Sequence, residues 1–204
     1  MPRKTDKRVR LIEAAKVLMH QQGFNLTTLA DIAQEADVPL GNVYYYFKTK
    51  EAIGEAVIER RRAEYEEKFA RWNDITSPAE RLKAFISFEE EELELLARYG
   101  CPIGGLCQEL GKQGGTLADL AAKLLHDILQ WTEKQFMSLG FGESSEELAL
   151  NLVASIQGTH LLTHTFKDPK LATKQTGTLS KWLIKALESS KTTTTTQPAV
   201  EAAY

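Results

Sequence analysis

Apolar residues recur every three or four positions along most of this chain, the spacing of amphipathic helices. The tightest arrangement runs from Thr27 to Lys50 and predicts two short helices joined by a turn. Leu29, Ile32, Ala33 and Ala36 form the inner face of the first. Thr28 precedes it with Asp31 three residues on, an N-cap followed by an acidic first turn. Asp37-Val38-Pro39 ends it, because a residue before proline is pushed away from helical geometry. Pro39 suits the opening turn of the next helix, Leu40 to Phe47, where Val43 and Phe47 face inward. Ahead of the pair, Thr5 is expected to cap a helix to about Gln22, with Leu11, Ile12, Ala15, Leu18 and Met19 inside and Gly23 ending it. Phe24 and Leu26 should pack beneath.

The helical pattern continues to the end of the chain. A long helix from Glu51 through Trp72 carries Ile53, Val57, Tyr65, Phe69 and Trp72. Ser77-Pro78 opens another, with Leu82, Phe85, Ile86, Leu93 and Leu96 as its stripe. Gly100 breaks it, Pro102 starts the next, and Gly111 to Gly115 makes a turn. Long helices are then expected from Thr116 to about Leu139, from Ser144 or Ser145 to about Phe166, and from Pro169 onward. The fold class is all-α. Residues 1–50 read as a three-helix domain with a helix-turn-helix, and 51–188 as a larger helical domain. Residues 189–204 hold five consecutive threonines and few large apolar groups, so a disordered tail is expected.

The second short helix has side chains that suit DNA. In a helix-turn-helix that helix lies in the major groove. Asn42, Tyr44, Tyr45 and Tyr46 stand near Lys48 and Lys50. Tyrosine hydroxyls and lysine ammoniums bond phosphates, asparagine pairs with adenine, and a tyrosine ring packs on a thymine methyl. Three consecutive helix positions point about 100° apart, so three tyrosines cannot all be buried.

This stretch resembles the DNA-binding domain of the TetR (tetracycline-repressor-like) family of transcriptional regulators. The resemblance is carried by Thr28-Leu29-Ala30-Asp31-Ile32-Ala33 and by Gly41-Asn42-Val43-Tyr44-Tyr45-Tyr46-Phe47-Lys48-Thr49-Lys50-Glu51, and covers roughly the first fifty residues. It implies a homodimer that binds a palindromic double-stranded DNA operator and is released by a small-molecule effector, most often as a repressor. It points to Thr28, Leu40, Gly41, Asn42, Tyr44, Tyr45, Tyr46, Lys48 and Lys50 as the DNA-contacting set. One departure stands out: the reading helix has no arginine and Leu40 precedes the glycine. Readout therefore shifts from guanine toward Asn42, Tyr45 and DNA shape. The last two long helices are expected to form a four-helix bundle with a second subunit through Leu152, Ile156, Trp182 and Leu183. Phe85, Phe88, Leu106, Leu124 and Trp131, on the middle helices, are the expected effector-pocket lining.

Charge sharpens this division. The whole chain has a net charge of −3, but residues 1–50 carry eight basic and five acidic groups while the rest carries 17 and 23. A basic head on an acidic body orients the head toward DNA. Arg60-Arg61-Arg62 lies three turns along the long helix and reads as a solvated face, as does the acidic run Glu89 to Glu92 with Glu94. No apolar run approaches the roughly twenty residues of a membrane span. Two cysteines are too few for a disulfide framework. A cytoplasmic protein with no cofactor and no membrane contact is the expectation.

Few residues suggest other chemistry. Cys101 falls at an N-cap-like position before Pro102, where helix N-termini lower thiol pKa, and Cys107 falls inside that helix. Two small packing residues are the simpler reading; a thiol-based redox or electrophile sensor is the alternative function. His160 and His164 have the i, i+4 spacing of metal ligands but no third ligand is evident, so core or interface histidines and no metal are expected. With no nucleophile–base pair and no phosphate loop, enzymatic activity is not expected.

Overall fold

The computed structural model describes residues 4–87 and 92–194. Among them every regular element is helical. The head consists of α1 (Lys4–Gln22), α2 (Leu29–Glu35) and α3 (Leu40–Tyr46). The long α4 (Lys50–Asn73) leads to α5 (Pro78–Ser87), α6 (Leu93–Tyr99), α7 (Pro102–Gly111), α8 (Thr116–Ser138), α9 (Ser145–Phe166) and α10 (Lys170–Thr194). The expected three-helix head and larger helical body are both present.

Local chemistry sets the boundaries. Thr28 and Asp31 form a reciprocal capping box at α2, each side chain bonding the other's backbone N–H. Such a cap contributes about 1 kcal/mol. Its hydrogen bonds hold the Asp31 carboxyl below its usual pKa. Asp37 makes the turn to α3 with φ +49°, a left-handed position that aspartate tolerates better than most residues. Arg10 fastens that turn from α1, reaching the carbonyls of Ala36 and Asp37 and the Asp37 carboxylate. Thr49 caps α4 by accepting from the Ala52 N–H at 3.1 Å.

A continuous apolar core joins head and body. Leu11, Ala15, Ile32 and Val43 are fully buried in the head, as is Ile53 at the start of α4. In the body α8 lies centrally, packing on α4, α5, α7 and α9. Trp131 of α8 stacks on Phe69 with centroids 5.2 Å apart and touches Trp72 and Phe85 at 5.2 and 5.7 Å. Aromatic pairs of this kind add about 0.5–1.5 kcal/mol each beyond burial.

Some expectations change. The stripe expected on one helix after Ser77 is divided: α5 ends at Ser87, α6 begins at Leu93, and Leu93 is only half-buried. Helix α10 continues to Thr194, so residues 189–194 are helical where a disordered tail was expected; 195–204 lie outside the described residues. The Arg60–Arg62 run is a set of struts. Arg60 pairs with Glu13 of α1 at 2.9 Å, Arg61 with Glu64 at 3.5 Å, and Arg62 with Asp127 of α8 at 3.1 Å. Of the acidic run, Glu92 and Glu94 are exposed and Glu89 to Glu91 lie outside the described residues.

Candidate nucleic-acid interface

Burial of two side chains presents α3. Val43 is fully enclosed and Phe47 nearly so, with the Arg8 guanidinium 5.3 Å from the Phe47 ring centroid. Anchoring those i, i+4 positions turns the others outward. Leu40, Tyr44 and Tyr45 are 42%, 47% and 64% exposed. Asn42 and Tyr46 are half-buried, and the Tyr46 ring meets Tyr45 edge-on at 5.0 Å. Gly41 is exposed with no heavy atom within 4 Å of where a Cβ would stand, so a flat partner can approach the backbone there. Lys48 is exposed at the C-terminal end.

Two residues of the expected DNA-contacting set are committed elsewhere. The Thr28 hydroxyl belongs to the capping box, although its side chain stays at the surface. Lys50 turns inward: its Nζ donates to the carbonyls of Phe24 and Asn25 at 3.1 and 3.0 Å and sits 4.7 Å from the Phe24 ring centroid. An ammonium with two carbonyl acceptors and an aromatic face has little left for a phosphate. Lys50 is therefore better described as a joint between α4 and the head.

The expected effector lining does not surround one cavity. Phe85, Leu106, Leu124 and Trp131 are all buried, and Phe88 lies outside the described residues. Leu124 and Trp131 share a cleft of about 290 Å³ with Arg62, Tyr65 and Phe69. Leu106 lines another of about 260 Å³ with His20, Cys101, Glu109 and His164. A larger cavity of about 600 Å³ opens between α1, α4, α6 and α7, with Lys16, His20, Arg61, Tyr65, Tyr99 and Cys101 in its wall. Periodicity marks residues that face inward; it does not tell which inward faces fail to meet, and that is what makes a pocket.

The expected dimer contacts also need correction. Leu152 and Leu183 are fully buried within the subunit, Ile156 nearly so, and Trp182 packs edge-on against Phe136. The opposite face of α9 is the open one. Leu150, Leu161, Leu162 and Phe166 are 50–66% exposed, and Ile184 of α10 is 46% exposed. Exposed Ala154 and Gly158 lie between them on that face.

The remaining candidates are simpler. Both cysteines are half-buried, and neither forms a disulfide among the described residues. Cys101 caps α7, its Sγ accepting from the Gly104 N–H at 3.3 Å. Cys107 donates to the Ala121 carbonyl at 3.1 Å, and burial pushes its thiol up to about 11. His160 is buried and pushed down to about 4 by desolvation, while His164 contacts Lys167. No group of three or more metal-ligating side chains occurs among the described residues, nor any helix long and apolar enough to cross a membrane.

A helix-turn-helix with an exposed reading helix, set on an all-helical body, defines a DNA-binding transcriptional regulator. Residues 11–57 match the model for bacterial regulatory proteins of the tetR family. The HTH-type transcriptional regulator LmrA of Bacillus subtilis (strain 168) is 27% identical over 173 residues, covering 80% of this chain and 89% of that protein. The HTH-type transcriptional repressor NemR of Escherichia coli (strain K12) is 38% identical over 63 residues, only 31% of this chain and 32% of that protein. The crystal structure of the reduced form of E. coli NemR has the same fold, with a TM-score of 0.76 at 20% identity over 86% of this chain and 96% of that one. Over residues 11–57 this chain carries the DNA-binding domain of the tetR family of bacterial regulatory proteins.

Proposed function

We propose that the protein is a homodimeric repressor that binds a palindromic operator and leaves it when a small molecule occupies its body. The observation that carries the DNA-binding half is α3: two anchored side chains turn Tyr44 and Tyr45 out beside Lys48 and leave Asn42 half-exposed. Asn42 and Tyr45 read bases, while Tyr44 and Lys48 hold phosphates. Dimerisation is supported by the open apolar face of α9, where Ala154 and Gly158 leave room for a partner helix to approach. One head reads a short half-site, and pairing two heads raises affinity through effective concentration. Residues 1–50 act as the reader and 51–188 as the receiver. The 600 Å³ cavity between α1, α4, α6 and α7 suits the effector, because an occupant there touches the head and the body together. By linkage, effector and DNA then weaken each other's binding.

Selection of fragmented source-genome DNA on the purified protein, at about 150 mM salt, tests this reading. Enrichment of a few palindromic sites is expected. Uniform recovery of all fragments, by protein kept in reductant, would contradict it.

A second reading replaces the small effector with thiol chemistry at Cys101. Its support is the cap position and the two cavities that this residue borders. Cys107, pushed to about 11, stays a thiol at neutral pH and is the poorer nucleophile. N-ethylmaleimide adds the Cys101 thiolate across its double bond. Loss of operator binding after that treatment, prevented by Cys101→Ser but not by Cys107→Ser, would favour this reading. Unchanged binding would remove it.

A further inference from the structure

The connector from Gly23 to Asn25, just after α1, is gripped from two sides. From the body, Glu109 of α7 accepts the Phe24 N–H on Oε2 and the Asn25 N–H on Oε1, each at 2.7 Å. From the start of α4, Lys50 donates to the carbonyls of the same two residues. Gln113, just past α7, donates to the Asn25 side-chain oxygen at 2.6 Å. The fit is close. Gly23 has φ +87°, and a Cβ there would stand 2.8 Å from the Glu109 carboxylate. Gly54 of α4 leaves room for the Phe24 ring, which a Cβ would approach to 2.8 Å.

The two N–H groups lie past the end of α1, just beyond Gly23, whose N–H still bonds back to the Met19 carbonyl at 3.1 Å. A carboxylate taking both in a fork makes two charge-assisted hydrogen bonds with little angular freedom. What it holds is the root of the reading unit. Thr27 is fully buried and donates to the Gly23 carbonyl at 2.7 Å, and Thr28 then caps α2. The helix that holds it also borders the 600 Å³ cavity through Cys101, Pro102 and Ile103, and His20 of α1 meets the Gly100 carbonyl at 2.8 Å just before that helix.

We propose that Glu109 is the positioning residue through which the body sets the angle of the DNA-reading head, so that a displacement of α7 becomes a change in the spacing of the two heads. This rests on the reading of the protein as a dimeric operator binder. The apolar core and α4 keep the head attached; the Glu109 fork removes its freedom to swing. Glu109→Gln keeps the size of the side chain and one acceptor oxygen, but turns an N–H donor toward one of the two backbone N–H groups.

The test uses the full chain and a duplex library in which the selected half-sites are separated by every spacing from overlap to one helical turn. Wild type is expected to favour one spacing. Glu109→Gln is expected to keep the half-site sequence yet accept spacings one or two base pairs away, with about tenfold weaker binding at the preferred one. Hydrogen exchange at the Phe24 and Asn25 amides should rise by about tenfold or more. An unchanged spacing profile with both amides still protected would overturn the proposal. So would a uniform loss of affinity at every spacing that tracks a lower Tm, the sign of a merely structural residue. If Glu109→Gln does not fold, Gln113→Ala loosens the same connector: a broadened profile supports the proposal and an unchanged one overturns it. If wild type selects no palindrome, the operator reading fails, while the exchange measurement still decides whether Glu109 restrains the head.

Discussion

Lys48 and Lys50 stand two residues apart and do different work. Lys48 is exposed beside the reading helix, whereas Lys50 spends its donors on Phe24 and Asn25. Replacing a phosphate-bonding lysine removes one released counterion. Lys48→Ala should therefore flatten the dependence of log K on log salt by about one unit per subunit. Lys50→Ala should leave that slope unchanged and instead lower Tm, because two carbonyls lose their partner. Binding titrations at several salt concentrations check both.

His160 gives the fold a pH dependence. Its folded pKa of about 4 lies below the ordinary 6.5, so between those values the unfolded chain binds the extra proton. Stability from this residue is complete above pH 6.5 and falls as the pH drops toward 4. The loss amounts to about 2–3 kcal/mol by pH 4.5. Chemical denaturation at pH 7.5 and 4.5 should show wild type losing more than His160→Phe by about that amount. Parallel losses would mean that His160 is not held neutral.

At the scale of elements, α9 is where face matters most. Its buried face carries Leu152 and Ile156, and its open face carries Leu150, Leu161, Leu162 and Phe166. Leu161→Glu with Phe166→Glu should give a monomer by light scattering and weaken operator binding by two orders of magnitude or more, since each head then binds its half-site alone. Leu152→Glu should instead unfold the subunit. A double variant that stays dimeric would put the contact elsewhere. The helix itself was legible from its period. Which of its two apolar faces turns inward was not, because both carry leucines and only packing against α8 and α10 chooses between them. The boundaries of the head were legible, since Thr28, Asp31, Pro39 and Val43 act locally through caps, a proline and an i, i+4 anchor; Leu26, expected to pack beneath, is instead 73% exposed, and Lys50 turns inward.

At the scale of the whole molecule, legibility stopped where distant segments meet. Glu109 contacts a peptide 85 residues away, and Arg62 contacts Asp127, 65 residues away. Neither pairing leaves a periodic trace; Glu109 reads simply as a polar position on a short helix. The cavity between α1, α4, α6 and α7 escaped for the same reason, because four segments define it and no single stripe does. Of these two contacts, the one from Glu109 joins the basic head to the acidic body, while Arg62–Asp127 braces the body itself.

The most direct measurement is the ratio of affinities for an enriched palindrome and for a scrambled duplex of the same length and composition, by fluorescence anisotropy at about 150 mM salt. A sequence-reading head predicts a ratio of about 10³ or more, with two subunits bound per palindrome. It also predicts that Asn42→Ala lowers the ratio while leaving the affinity for scrambled DNA in place. A ratio near one for wild type would mean that the exposed face of α3 does not read bases, and would contradict the account.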